Sequence, residues 1–152
     1  MKTVLISIKP KYAEQILNGV KSHELRAGSV FSRGDRIIMY ASNPVRAVVG
    51  EFTAGFVMTG SYEEVVAYLK TVGYKGLSSE DFEYIRGKRT RVSAIEVVDP
   101  IRYPEPISLA TLKRVGLERP PRSYMVLNPS IKLHAKLIEL FNKALTTRSR
   151  GL

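Results

Sequence analysis

The chain has 152 residues, 44% of them hydrophobic and 25% charged, with a net charge of +10 and no cysteine. That length suits one domain with a core of its own, and the missing cysteine excludes disulfides and thiolate metal sites. No apolar run approaches the roughly 20 residues of a membrane helix, so no membrane association is expected. Lys2 is followed at once by an alternating strand, which is not the start of a signal peptide, so a cytoplasmic location is expected. His23 and His134 lie far apart without metal-ligand spacing, and no organic-cofactor motif occurs, so neither a metal nor a cofactor is expected. The excess of base points to a polyanion as partner, nucleic acid being the commonest; the alternative is a solvated basic surface.

In chain order, Thr3 to Ile8 alternates and reads as a first strand. Pro10 suits the first position of a helix carrying Ala13, Ile16 and Leu17, which Asn18-Gly19 ends. Ser22 to Arg26 is a second strand, and Arg33-Gly34-Asp35 a turn. Arg36 to Ala41, almost wholly apolar, is a third and central strand. Val45 to Met58 is long, with Gly50 and Gly55 at the places where a sheet would bulge and curl. Ser61-Tyr62-Glu63-Glu64 is a capping box that opens a helix, and Ser78 or Ser79 caps another.

A fifth strand spans Val92 to Val98 and is expected to break at Asp99-Pro100. Ser108 to Val115 is a short helix, and Ser123 to Leu127 a sixth strand. Ser130 is expected to cap a helix with Leu133, Leu137, Leu140, Phe141, Ala144 and Leu145 on one stripe. That stripe packs on the body or takes a protein partner. Thr146 to Leu152 is a polar tail with Arg148 and Arg150. Residues 1–128 then form an α+β domain around a small curled barrel of about six strands. Residues 129–152 add the C-terminal helix and its basic tail.

The segment richest in chemistry is Gly19-Val20-Lys21-Ser22-His23-Glu24-Leu25-Arg26. Glu24 and Arg26 are two apart and share a face of a strand, with Lys21 at its entry. One acid and two bases at the lip of a sheet hold either a polar ligand or one another. Lys21 is a phosphate contact or a general base, with Glu24 as its orienting carboxylate. Arg26 is a fork for phosphate or a partner for a carboxylate such as Asp35. Ser42 sits in a turn, and Tyr124 either stacks on a base or belongs to the core. Arg119 and Arg122 flank two prolines; with Arg86, Lys88, Arg89 and Arg91 they are candidates for a stripe that follows phosphates.

Gly19-x-Lys21-x-x-Glu24-x-Arg26 resembles the signature of the ASCH domain, a member of the PUA-like superfamily. The opening strand Ile6 to Pro10 is similar as well, as are Tyr12-Ala13, Gly34-Asp35 and Tyr40-Ala41-Ser42 with Pro44. So are Val48 to Phe52 and Pro120-Pro121-x-Ser123-Tyr124, and together these segments span residues 3–127. The resemblance implies a PUA-like barrel with a cleft walled by the signature, and binding of nucleic acid, RNA preferred. Lys21, Arg26, Ser42, Arg119, Arg122, Ser123 and Tyr124 are the contacts expected for it. The alternative is a hydrolase acting on a modified nucleoside, as in the acetylcytidine amidohydrolases, or on RNA, with Lys21 as base and Glu24 beside it. Amidohydrolase relatives carry a threonine where this chain has Glu24, and a distant glutamate for which Glu51 and Glu96 are the candidates.

Overall fold

In a computed structural model that describes residues 1–147, six strands form one sheet in the order β2-β5-β4-β3-β1-β6. The strands are β1 (Thr3–Ile8), β2 (His23–Ala27), β3 (Arg36–Ala41), β4 (Ala47–Gly60), β5 (Val92–Ser108) and β6 (Tyr124–Leu127). Five helices lie between and after them: α1 (Pro10–Leu17), α2 (Tyr62–Val72), α3 (Ser79–Ile85), α4 (Leu109–Arg114) and α5 (Lys132–Thr146). β1 runs parallel to β3; the other pairings are antiparallel. Among the described residues no helix is long and apolar enough to cross a membrane.

The sheet curls because its two longest strands are bent. Between β4 and β5 the register shifts three times, at Val48/Gly50, Glu51/Thr53 and Ala54/Val57. Gly50 and Gly55 sit at such shifts, as bulge chemistry requires. A side chain at Gly50 would collide with the Ile101 carbonyl. β5 does not break at Asp99-Pro100. Asp99 takes φ of 49°, an extra residue is absorbed there, and the strand runs on to Ser108. A proline lacks a ladder donor, so it breaks a flat strand, yet a bulge leaves that donor unused. One long bent strand therefore replaces the strand and separate extended piece that the sequence suggests.

Both faces of the central strands are buried, which explains their continuous apolar runs. Val4, Ile6, Ile37 and Met39 point to one cluster, with Phe52 and with Ala13 and Ile16 of α1. Leu5, Ile38 and Tyr40 point to the other, with Tyr103 and with Leu137, Phe141 and Ala144 of α5. The apolar stripe of α5 is thus covered by its own body, while Leu145, at its end, is exposed. Arg36 fixes the helix from below, donating to Glu51 at 2.7 and 2.8 Å and to Asn142 at 2.6 Å. Ser130 does not cap α5. The helix begins at Lys132 without a side-chain cap, and the turn before it is held by Asn128, whose side-chain oxygen accepts from the Ser130 amide at 2.9 Å. The tail from Arg148 onward lies outside the described residues.

Because Phe141 is fully buried between α5 and the sheet, Phe141→Ala is expected to lower the unfolding free energy by about 3–5 kcal/mol in a urea titration. A loss below about 1 kcal/mol would mean that α5 is not part of the core.

Candidate functional site

The signature occupies the corner where α1 passes into β2. The amides of Val20 and Lys21 both donate to the Gln15 carbonyl, turning the chain back beneath α1. Glu24 and Arg26 then project from one face of β2, as their spacing requires. His23 and Leu25 project from the other, Leu25 into the cluster under α2 and α3, and His23 edge-on to Tyr68. Burial pushes the His23 imidazole below its ordinary range, against the pull of Glu96.

Lys21 is one of the largest fully buried side chains of the protein. Its ammonium donates to Asp81 Oδ1 at 2.8 Å and to Glu24 Oε1 at 3.1 Å, and lies 4.2 Å from the centroid of the Tyr12 ring. Glu24 in turn accepts from Arg26 at 3.2 Å through its other oxygen. Arg26 donates onward to the Ser7 carbonyl at 3.0 Å, and to the carbonyl and hydroxyl of Ser123 at 2.7 and 3.0 Å. Asp81 belongs to the first turn of α3, where its other oxygen accepts from the amide and hydroxyl of Ser78. Lys21, Glu24, Arg26 and Asp81 are each 2–6% exposed. Two cations and two carboxylates thus alternate in one buried, neutral chain, and each answers a charge that would otherwise be very costly to bury.

This chain backs a cleft of about 530 Å³. One side of the cleft is Ser7, Ile8 and Lys9 at the end of β1, with Tyr12 of α1. Another is Glu24 to Arg26. Ser42 follows β3, and Arg122 precedes β6. Glu80, Asp81, Glu83 and Tyr84 of α3 complete it. The carboxylates are paired: Glu80 with Lys9 and Lys11, Glu83 with Arg86, and Glu24 and Asp81 with Lys21. The Tyr12 hydroxyl, with Lys11 and Lys9, holds the Glu80 carboxyl down at about 2. Burial, and then Glu80 itself, pushes the Tyr12 hydroxyl up, so Tyr12 remains a phenol that donates. Among the described residues Arg122 is the lining cation without an ion-pair partner, and it is exposed.

Of the residues singled out in the sequence, Glu24, Arg26, Ser42 and Arg122 meet in this cleft. Lys21 stands behind its wall. Its Nζ lies between the Glu24 and Asp81 carboxylates and ties the two together. Ser123 serves the structure as an acceptor for Arg26. Tyr124 is packed on Phe31 at 5.7 Å and covered by Gly28, and Arg119 is exposed away from the lining. Asp35 pairs with Lys2 at 2.7 Å and not with Arg26. Glu51 serves Arg36 and Tyr103, and Glu96 accepts from the Phe56 amide; neither lines the cleft.

Sequence reading missed Tyr12, Glu80, Asp81 and Tyr84. Asp81 completes a capping box with Ser78 in the structure, and nothing local in the sequence ties it to Lys21, 60 residues earlier. Among the described residues no group of three His, Cys, Asp or Glu side chains gathers to hold a metal.

An α+β sheet curled into a PUA-like half-barrel, with a polar cleft behind its first helix, is the class of fold described. No family profile matches the chain, and no curated protein does. Solved structures do. The ASCH protein of Zymomonas mobilis is 27% identical with a TM-score of 0.71, over 91% of this chain and 95% of that one. A tyrosine-to-phenylalanine variant of it is 26% identical with a TM-score of 0.72, over 92% and 99%. A protein from Agrobacterium tumefaciens shares the fold at 14% identity and a TM-score of 0.57, over 95% and 93%. With the signature in place on β2, the chain is similar in fold and in signature to the ASCH-domain proteins.

Replacing Lys21 by alanine strands Glu24 and Asp81 as buried carboxylates without their cation. The variant is expected to lose about 3–5 kcal/mol of stability in urea unfolding. A Lys21→Ala protein as stable as the wild type would contradict the structural role given to this lysine.

Proposed function

We propose that the protein binds single-stranded nucleic acid, RNA in preference, by seating one unpaired nucleotide in the cleft. The observation that carries this is the meeting, at one cleft, of an unpaired exposed guanidinium, an exposed aromatic ring and a hydroxyl: Arg122, Tyr84 and Ser42. A nucleotide is a flat ring joined to an anionic phosphate. Tyr84 offers the ring a face for stacking, Arg122 a planar fork for the phosphate, and Ser42 a donor and acceptor for a base edge or ribose. The volume falls within the range of about 300–1,000 Å³ usual for small-ligand sites, which suits one nucleotide and not a duplex.

The inner wall supports the same reading. Its charges are matched to one another, so they present a fixed polar surface that does not rearrange when a ligand arrives. The net charge of +10 supplies long-range attraction to a polyanion. The preference for RNA rests on the likeness to ASCH domains alone. The hydrolase reading with Lys21 as base gains no support from the site, because that ammonium is spent on two carboxylates.

Anisotropy titrations with labelled single-stranded and duplex RNA test the proposal. Single strands are expected to bind more tightly than duplex. Arg122→Gln is expected to lower the slope of log affinity against log salt by about 0.7 for a single strand. Tyr84→Ala is expected to cost about 1–3 kcal/mol of binding. Equal affinity for duplex, or binding indifferent to salt and to both substitutions, would overturn it.

A further inference from the structure

A second concave surface, of about 680 Å³, lies beyond the end of α3. It runs from the start of α2, including Tyr62, to the segment between α3 and β5, Arg86 to Arg91. Two side-chain contacts join it to the cleft across the end of α3. Glu83, in the cleft, meets Arg86, in the hollow, at 3.0 Å. Tyr84, in the cleft, has the ammonium of Lys88, in the hollow, 4.9 Å from its ring centroid. The two depressions are therefore neighbours across the end of α3, with Tyr84 between them.

The hollow is rich in cations. Arg86, Lys88, Arg89 and Arg91 line it with only two carboxylates, Glu63 and Glu64, while Arg86 is paired with Glu83 of the cleft. Glu64 is already engaged by the capping box, accepting from the Ser61 amide at 2.9 Å. Among the described residues Lys88, Arg89 and Arg91 make no ion pair, and all three are exposed. Arg91 also donates to the Thr59 carbonyl at 3.2 Å, whereas holding the like charges of Lys88 and Arg89 beside it on an exposed turn costs repulsion. A row of cations beside aromatic rings is the arrangement that follows a sugar-phosphate chain while leaving bases free to stack. An acidic peptide would use the charges but not the ring of Tyr84 at the ridge.

We propose that the hollow carries the phosphate backbone of the strand whose nucleotide occupies the cleft, so that the protein grips several consecutive nucleotides across Tyr84. This deepens the nucleic-acid reading of the cleft and rests on it. The site is then a track with a pocket at one end.

The test compares oligouridylates of two and of about ten nucleotides, a length within the span of small single-strand-binding folds. Each is titrated against the full chain and its Arg89→Gln/Arg91→Gln variant at several salt concentrations, with thermal melting as a check on folding. The wild type is expected to bind the longer strand about tenfold or more tightly than the dinucleotide. The double variant is expected to bind the dinucleotide as the wild type does, to lose most of the gain with length, and to show a salt slope lower by about 1.4 for the longer strand. If the double variant melts early, Arg89→Glu alone, at an exposed side chain, serves instead and is expected to weaken only the longer strand. An unchanged affinity for the longer strand in the variants, or no gain with length in the wild type, overturns the track and leaves the cleft standing. Failure of the wild type to bind either strand overturns both.

Discussion

Arg26 closes the barrel with its side chain. The sheet's free edges are β2 and β6, and no backbone ladder joins them. The guanidinium on β2 reaches the carbonyl of Ser7 on β1 and both oxygens of Ser123 at the entry to β6. A planar fork with several donors can satisfy that many acceptors at once, which a lysine cannot. The closure places a positive charge in the interior, at 4% exposure, and the rest of the corner is built to answer it. Glu24 neutralises Arg26, Lys21 neutralises Glu24, Asp81 neutralises Lys21, and the start of α3 satisfies Asp81. Removing any member would leave an uncompensated buried charge, so the sequence signature and the packing of α3 on β2 are one structural unit.

That unit decides what the cleft can offer. Most of the hydrogen-bonding capacity of Lys21, Glu24 and Arg26 is taken up within the wall, Arg26 Nε alone of their buried polar atoms lacking a partner among the described residues. The atoms left for a ligand belong to its other walls: the ring of Tyr84, the hydroxyl of Ser42 and the guanidinium of Arg122. On the proposed reading, rigidity and recognition are divided between neighbouring residues. A buried, self-neutral wall costs little to keep fixed, and the exposed groups around it are free to meet a flat ring and a phosphate. The hollow beyond Tyr84 extends the same division, with its cations held on the turn that follows α3.

Much of this was legible in the sequence because local spacing carries it. The shared face of Glu24 and Arg26, the bends at Gly50 and Gly55, and the core stripe of Leu137, Phe141 and Ala144 all follow from strand and helix periodicity. What was not legible depends on contacts remote in sequence or on backbone detail. Asp81 carries no local signal of a site until the fold brings it to Lys21. Asp99-Pro100 reads as a strand break until the partner strand shows that a bulge absorbs it. Tyr124 sits beside Ser123 in sequence, yet lies under Gly28 and against Phe31, and only the loop after β2 reveals this. Ser130 looks like a cap, but Asn128 forms the turn two residues earlier and the helix starts later.

The measurement that bears most directly on the division between a structural wall and a ligand-binding mouth is an amide NMR titration of the intact protein with a short single-stranded RNA. Shifts are expected at Ser42, Tyr84 and Arg122, and along Arg86 to Arg91 as the strand is lengthened, with little change along α5. Shifts confined to α5 or to the opposite face of the sheet, or no shifts at all, would contradict the assignment of this cleft as the nucleic-acid site.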